Sequence, residues 1–296
     1  MAYWIFLDGL ESMKIIGIDF TSRPTKFKPL TCTLCDFDDG VLRIKKLLEW
    51  PSFKQFEDFL FSSGPWVAGI DFPFGQSRKF IRNMNWPRNW SDYVRLVGKL
   101  DRNEFKHILN AYRKCRPYGD KEHKRATDIA AGSISPQKVY GVPVGLMFFE
   151  GAPRLLRAGV KLPGIFDGAT NRLVFEAYPG VLARRLIGRR SYKQDDRSKQ
   201  TIDQAEARSE ILEKVLGGNL INDFGFSIKI DMIYSDNNDT TGDRLDAILC
   251  AIQAAWAWGK RDSGFGKPNS LDNVEGWIAD PPTCEAMENM ADGNYE

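Results

Sequence analysis

Apolar residues recur along this chain in two periods, and the switches between them divide it into elements. Positions 14–20, KIIGIDF, are nearly continuous in apolar character and predict a first strand. A proline-containing loop leads to a second strand around 30–37. Asp38-Asp39-Gly40 is a turn signal, and 41–48 predicts a returning strand, so the chain is expected to open with three antiparallel strands in order. Phe53, Phe56 and Leu60 repeat at helical spacing within 52–61, with Ser52 as the candidate cap. WVAGID, at 66–71, predicts a buried central strand. A long polar and mostly helical stretch, 76–132, then interrupts the strand pattern.

The second half continues with a helix at 144–156, a strand at 172–178 stopped by Pro179-Gly180, and a basic helix through Arg185. A helix is expected at 198–216, whereas 223–233 fits neither period. The strongest helical pattern is 241–259, where Leu245, Ile248, Leu249 and Ile252 share a face and Thr241 is the candidate cap. EGWIAD, from Glu275, reads as a short closing segment. This order predicts an α/β fold with a mixed five-stranded sheet and helices on both faces. The expected organisation is one domain at 13–281 with a helical insertion at about 76–132, an extension at 1–12, and an acidic, disordered tail at 282–296. Sheets of this kind hold ligands at the carboxyl ends of their strands.

Composition narrows the chemistry. The 296 residues are 43% hydrophobic and 27% charged, ordinary values for a chain that buries a core. Five cysteines in a chain this long imply no disulfide framework. Cys32 and Cys35 form a lone C-x-x-C inside a strand pattern, where positions three apart point to opposite faces. Two histidines, His107 and His123, argue against a histidine-centred metal site or triad. The longest apolar run near the start, 2–7, is too short for a signal-peptide core or a membrane span, which places the expected protein in the cytoplasm, away from membranes.

The net charge of +2 conceals an asymmetry. Between Arg78 and Arg125 there are 14 Lys/Arg against 5 Asp/Glu, and between Leu182 and Lys199 there are 7 against 2. The first stretch also holds Phe80, Trp86, Trp90, Tyr93 and Tyr112. Aromatics interleaved with arginine suit a nucleic-acid surface, with bases stacked and phosphates paired. The competing expectation is a solvated helical face whose aromatics pack inward.

Carboxylates mark the candidate site. Asp19 ends the apolar run IIGI, Asp71 ends WVAGI, and Glu176 lies in LVFEAYPG. An ionised carboxylate at such places is costly unless it is paired or binds a metal. Asp243 and Asp246, in GDRLDAILCA, are spaced i, i+3 and point to one side of a helix start. The helix dipole alone accounts for Asp243, less well for Asp246 beside the apolar face. An all-oxygen ligand set favours Mg2+ or Mn2+, ions suited to phosphodiester displacement.

Four segments carry a family resemblance. GIDF, GIDFPFG, FEAYPG and GDRLDAILCAIQAAW resemble, in order, the motifs of domain-of-unknown-function family 429, whose members are predicted nucleases with a ribonuclease-H-like fold. The resemblance spans 14–281, and the closing D-x-x-D-A is also similar to the last motif of Holliday-junction resolvases. It implies that Asp19 holds the metals, that Asp71 and Asp246 complete the set with Asp243 beside them, and that Glu176 joins the same site as a further ligand or general base. Ribonuclease H proper also has a glutamate on its first helix, for which Glu57 is the nearest candidate here. The insertion has no counterpart in the minimal fold; within it, Arg116, Arg125 and Asp128 are candidates to reach a phosphate or the metal. The expectation is a metal-dependent nuclease. Alternatives are a phosphotransferase or ATPase of the actin-like or sugar-kinase type, for which no Gly-rich second phosphate loop is present, and a non-catalytic nucleic-acid binder.

Overall fold

The computed structural model describes residues 12–194, 196–232 and 241–292. The expected extension at 1–12 therefore lies almost wholly outside the described residues. Strands β1 (Met13–Asp19), β2 (Leu30–Asp38) and β3 (Val41–Trp50) pair antiparallel in sequence order. The tight turn between β2 and β3 uses Asp39 and Gly40 at φ 50° and 68°, the left-handed pair a two-residue hairpin requires. Helix α1 (Phe53–Leu60) returns the chain to β4 (Trp66–Ile70), which lies parallel to β1. Ser52 stands at the start of α1 but its hydroxyl does not cap a backbone N–H.

The insertion forms α2 (Arg78–Asn83), α3 (Trp90–Val97), α4 (Arg102–Lys114) and α5 (Ala126–Ala130). After it come α6 (Val144–Ala158), β5 (Val160–Lys161), β6 (Ala169–Glu176), α7 (Pro179–Ile187), α8 (Ile202–Leu216) and α9 (Ile221–Phe224). The chain closes with β7 (Ser227–Ile230), α10 (Asp243–Gly259) and α11 (Pro281–Ala291). The result is a mixed α/β fold around a seven-stranded sheet in the order β5-β6-β4-β1-β2-β3-β7. Five strands were expected, and these form the centre. The two edge strands, of two and four residues, are too short to show a period, and pairing with a neighbour defines them.

Alternation along the central strands sends side chains to two cores. Ile16, Ile18, Ala68, Ile70 and Val174 face α1, α3, α4 and α6, with Phe56, Val94, Phe105 and Phe148 among their partners. Ile15, Val67, Leu173 and Phe175 face α7, α8 and α10. Cys32 and Cys35 fall in different cores, as positions three apart on a strand must. The isolated bridge between Glu176 and Ile278 shows how EGWIAD closes against the end of β6.

The insertion is part of the first core. Phe80, Trp86, Trp90, Tyr93 and Tyr112 are all buried, so the expectation that they stack bases at the surface is corrected: their rings face inward. Trp90 donates to the carbonyl of Phe74 at 2.7 Å and Tyr93 to that of Val274 at 2.9 Å, tying the insertion to the loops at the strand ends. Within the described residues, to 292, the tail is also corrected. Instead of disorder, α11 begins where Asp280 accepts from the N–H and hydroxyl of Thr283, and Cys284 and Met287 bury one face. Asp280 itself is fully buried and held by Arg185 at 2.8 and 2.9 Å.

Candidate acidic site at the strand ends

The site depends on how closely α10 approaches the sheet. A Cβ on Gly17 of β1 would lie 1.9 Å from the carbonyl oxygen of Ala247, and one on Gly69 of β4 would lie 2.3 Å from that of Cys250. The helix backbone thus rests directly on the two central strands, with Ala251 and Ala254 as the nearest side chains. Asp19 follows Ile15 and Gly17 on the α10 face of β1, and Asp71 extends Val67 and Gly69 beyond β4. The first turn of α10 carries Asp243 and Asp246 to the same place. Gly242, not Thr241, occupies the cap position. Its φ of 80° admits glycine readily, and the Thr241 side chain hydrogen-bonds Asp243 instead.

The four acids act on one another. Burial lifts the Asp19 carboxyl well above the usual range, and Asp243, Asp246 and Asp71 add to the effect. Burial also pushes Asp71 up to about 7, reinforced by Asp246 and Glu176 and opposed by Lys193. Asp243 is raised by burial and by Asp246. Lys193 opposes the shift in all three. Its stem is exposed, with 41% of the side chain open, while its ammonium reaches inward to pair with Asp246. Burial works against the Lys193 charge, but Asp246, Tyr192, Asp19 and Asp71 outweigh it and hold its pKa well above the ordinary value. Tyr192 donates to Asp246 Oδ1 at 2.6 Å, so both Asp246 oxygens are engaged.

Glu176 does not join this group. It is the register partner of Ile70, so it points to the opposite face of the sheet from Gly69 and Asp71. There Arg125 donates to both of its oxygens, at 2.6 and 2.7 Å, and Phe74 N–H donates at 2.8 Å. Arg125 also grips Asp128 at 2.8 and 2.9 Å and the carbonyl of Glu275 at 3.0 Å. Arg125 and Asp128 are each 1% exposed, so their charges lock the insertion to β6, and the Arg125 donors are occupied within the protein. Arg116 lies on the surface, paired with Asp120 and over the Tyr112 ring. Glu57 pairs with Arg154 on α6 at 3.0 Å, on the first core's side of the sheet.

Replacing Arg125 with methionine is expected to cost about 3–5 kcal/mol in urea denaturation, because two buried carboxylates lose their cation. Adding Glu176→Gln and Asp128→Asn should recover part of that loss. Recovery of none would mean that packing, not charge, fixes the contact.

The donor chemistry fits a hard divalent ion. Four carboxylates face the Lys193 ammonium, with Lys28 acting on Asp243 as well, so negative charge outnumbers positive at the strand ends. Among the described residues, however, no three His, Cys, Asp or Glu side chains stand close enough to hold an ion as placed. Lys193 draws Asp246 to itself, so ligation by Asp246 requires that pair to part. The acids also set a pH dependence. A carboxyl raised to about 7 when folded, from 3.8 when unfolded, binds more protons in the folded state between those values. Stability from Asp71 is therefore greatest below pH 4 and falls as pH rises through 7, by on the order of a few kcal/mol. Melting temperatures in metal-free buffer should decline from pH 5 to pH 8, net of the chain's other titrations. Millimolar Mg2+ or Mn2+ should reverse the decline at pH 8, and a Tm indifferent to both would exclude an ion at this site.

Lys193 and Tyr192 were missed by sequence reasoning. Both lie in a polar loop, and their only signal was the basic stretch at 182–199. That stretch also lines a cleft of about 450 Å³ beside the acids, formed by Gly132, Tyr178, Gly180, Arg184, Arg189, Arg190 and Tyr192, among others. Comparison with protein-family models, curated proteins and solved structures finds no match for the chain. Among the described residues no helix is long and apolar enough to cross a membrane.

Proposed function

We propose that the chain is a divalent-metal-dependent phosphodiesterase acting on nucleic acid, built on a ribonuclease-H-like core. One observation carries this reading: Asp19, Asp71, Asp243 and Asp246, from two adjacent strands and the helix laid across them, share one electrostatic environment at the strand ends. The central strand order β3-β2-β1-β4-β6, antiparallel then parallel, agrees with such a core and with the motif resemblance. Fold alone does not fix the chemistry, and the acids are what would supply it.

Asp19, Asp71, Asp243 and Asp246 would hold Mg2+ or Mn2+ only after their side chains draw together, Asp246 first parting from Lys193. The ion would supply Lewis acidity and balance charge developing on the leaving oxygen. Asp71, held up by burial in the metal-free protein, would give up its proton as it takes its place beside the ion. The Lys193 ammonium and the Tyr192 hydroxyl are donors within reach of an anionic group at the acids. Glu176 positions the loop after Asp71 through Phe74 N–H.

The test is cleavage of a labelled panel of single strands, duplexes, RNA–DNA hybrids and four-way junctions, with ATP included, in Mg2+ or Mn2+. Metal-dependent cleavage that disappears in Asp19→Asn is the expected result. Hydrolysis of ATP with every nucleic acid intact would favour the phosphotransferase reading instead.

A further inference from the structure

An anionic substrate approaching four carboxylates is repelled unless cations stand at the entrance. The cleft beside the acids supplies them. Arg184 projects from α7, and Arg189 and Arg190 follow from the loop after it, all lining the same space. Arg190 is shared with Glu210. Arg184 makes long contacts of 3.3 Å to the Gly132 carbonyl and the Tyr178 hydroxyl, its guanidinium lies 5.9 Å from the Tyr178 ring centre, and it meets no carboxylate among the described residues. Arg189 is exposed and likewise has no acidic partner among the described residues. Two guanidinium groups are thus available to a ligand.

The cleft and the acids share a wall. Tyr192 lines the cleft while its hydroxyl donates to Asp246, so a group bound against this ring lies one side chain away from the acidic site. Tyr178 lines it too, and its hydroxyl is raised by burial with Asp71 contributing, which places it near that acid as well. Gly132, at φ 61°, lies against Arg184: a Cβ there would sit 2.7 Å from the Arg184 guanidinium. A space of about 450 Å³ suits a nucleotide-sized unit. Tyrosine rings beside arginines are the combination that grips a single strand, through stacking and phosphate pairing.

We propose that this cleft binds the phosphate backbone of a single nucleic-acid strand next to the phosphodiester that the acidic site would cleave, an inference that rests on the nuclease reading for its second half. Arg184 and Arg189 pair with strand phosphates, and Tyr178 offers the ring beside them.

The experiment is fluorescence anisotropy with a labelled single-stranded 12-mer, DNA and RNA in turn, in EDTA so that binding is read without cleavage. Wild type is compared with Arg184→Ala/Arg189→Ala, with the charge-preserving Arg184→Lys/Arg189→Lys, and with Arg95→Ala on α3 as a surface control. The alanine pair is expected to bind about tenfold or more weakly. Its slope of log affinity against log salt should be shallower by about 1.4, the value for two lost phosphate contacts on a single strand. The lysine pair should restore much of the slope, and Arg95→Ala should match wild type. Circular dichroism confirms that each variant is folded. Equal affinity in wild type and the alanine pair, or no binding by wild type, overturns the proposal. So does inorganic phosphate or a mononucleotide binding as tightly as the 12-mer, since the occupant would then be a free phosphate compound. Arginine-dependent binding without cleavage in Mg2+ or Mn2+ would defeat the nuclease reading and leave the strand site. Cleavage indifferent to both arginines would do the reverse.

Discussion

Asp19→Asn is expected to abolish metal-dependent cleavage and, in the same protein, to raise the melting temperature measured without metal. Asp19 is the acid on which the others converge: Asp243, Asp246 and Asp71 all act to raise its pKa after burial has done so. Loss of one ligand from such a set removes several kcal/mol of transition-state stabilisation, or roughly a thousandfold in rate. The stability effect has the opposite sign. A carboxyl whose folded pKa lies well above its unfolded value destabilises the fold once it ionises, so asparagine removes a penalty present at pH 8 and nearly absent at pH 4. A gain of about 1 kcal/mol corresponds to about 1.5–2 °C for a chain of 296 residues. The gain should shrink as pH falls, and added Mg2+ should stabilise wild type more than the variant. Unchanged cleavage would remove Asp19 from the site. A lower Tm at pH 8 would mean that pairing with Lys193 outweighs repulsion from the other acids.

Gly17→Ala should be among the most damaging single-methyl changes at the described glycines. The added Cβ would sit 1.9 Å from the Ala247 carbonyl oxygen and 2.4 Å from Ala251 N, both backbone atoms of α10 that no rotamer change can move. The helix must retreat from β1, opening both the core beneath it and the acidic site at its start. A cost of roughly 3 kcal/mol or more is expected, at the upper end for overpacking. Gly69→Ala, 2.3 Å from the Cys250 carbonyl, should behave alike. Gly259→Ala, at the far end of the same helix with nothing within 4 Å, should be neutral or slightly stabilising. The checks are urea denaturation and, for the fraction still folded, metal affinity. Gly17→Ala at wild-type stability would show that α10 is not seated by this glycine.

Which elements form was legible because strands and helices impose different periods on apolar residues. The three opening strands, β4, β6, α1, α6, α8 and α10 lie within a few residues of the segments that the pattern marks. Elements defined by a partner were not legible. Strands β5 and β7 exist through their neighbours, and α11 exists because Asp280 caps it while Arg185 holds Asp280 from another helix. Aromatics in the basic stretch were ambiguous for the same reason: a helix with rings on one side and arginines on the other looks alike whether the rings meet a base or a core.

The site divides along the same line. By itself the sequence determined that Asp19 and Asp71 end apolar strands and that Asp243 and Asp246 share the start of a helix, since those statements need only local geometry. Tertiary structure alone decided which carboxylates meet. Alternation puts a side chain on one of two faces, and the pairing of Glu176 with Ile70 turned it away from α10 and toward Arg125. It also decided that Lys193, from a loop with no periodicity, brings a positive charge onto Asp246 among the acids. Period is a property of one segment, whereas register and long-range charge pairing are properties of two, and only the folded chain brings the second segment into place.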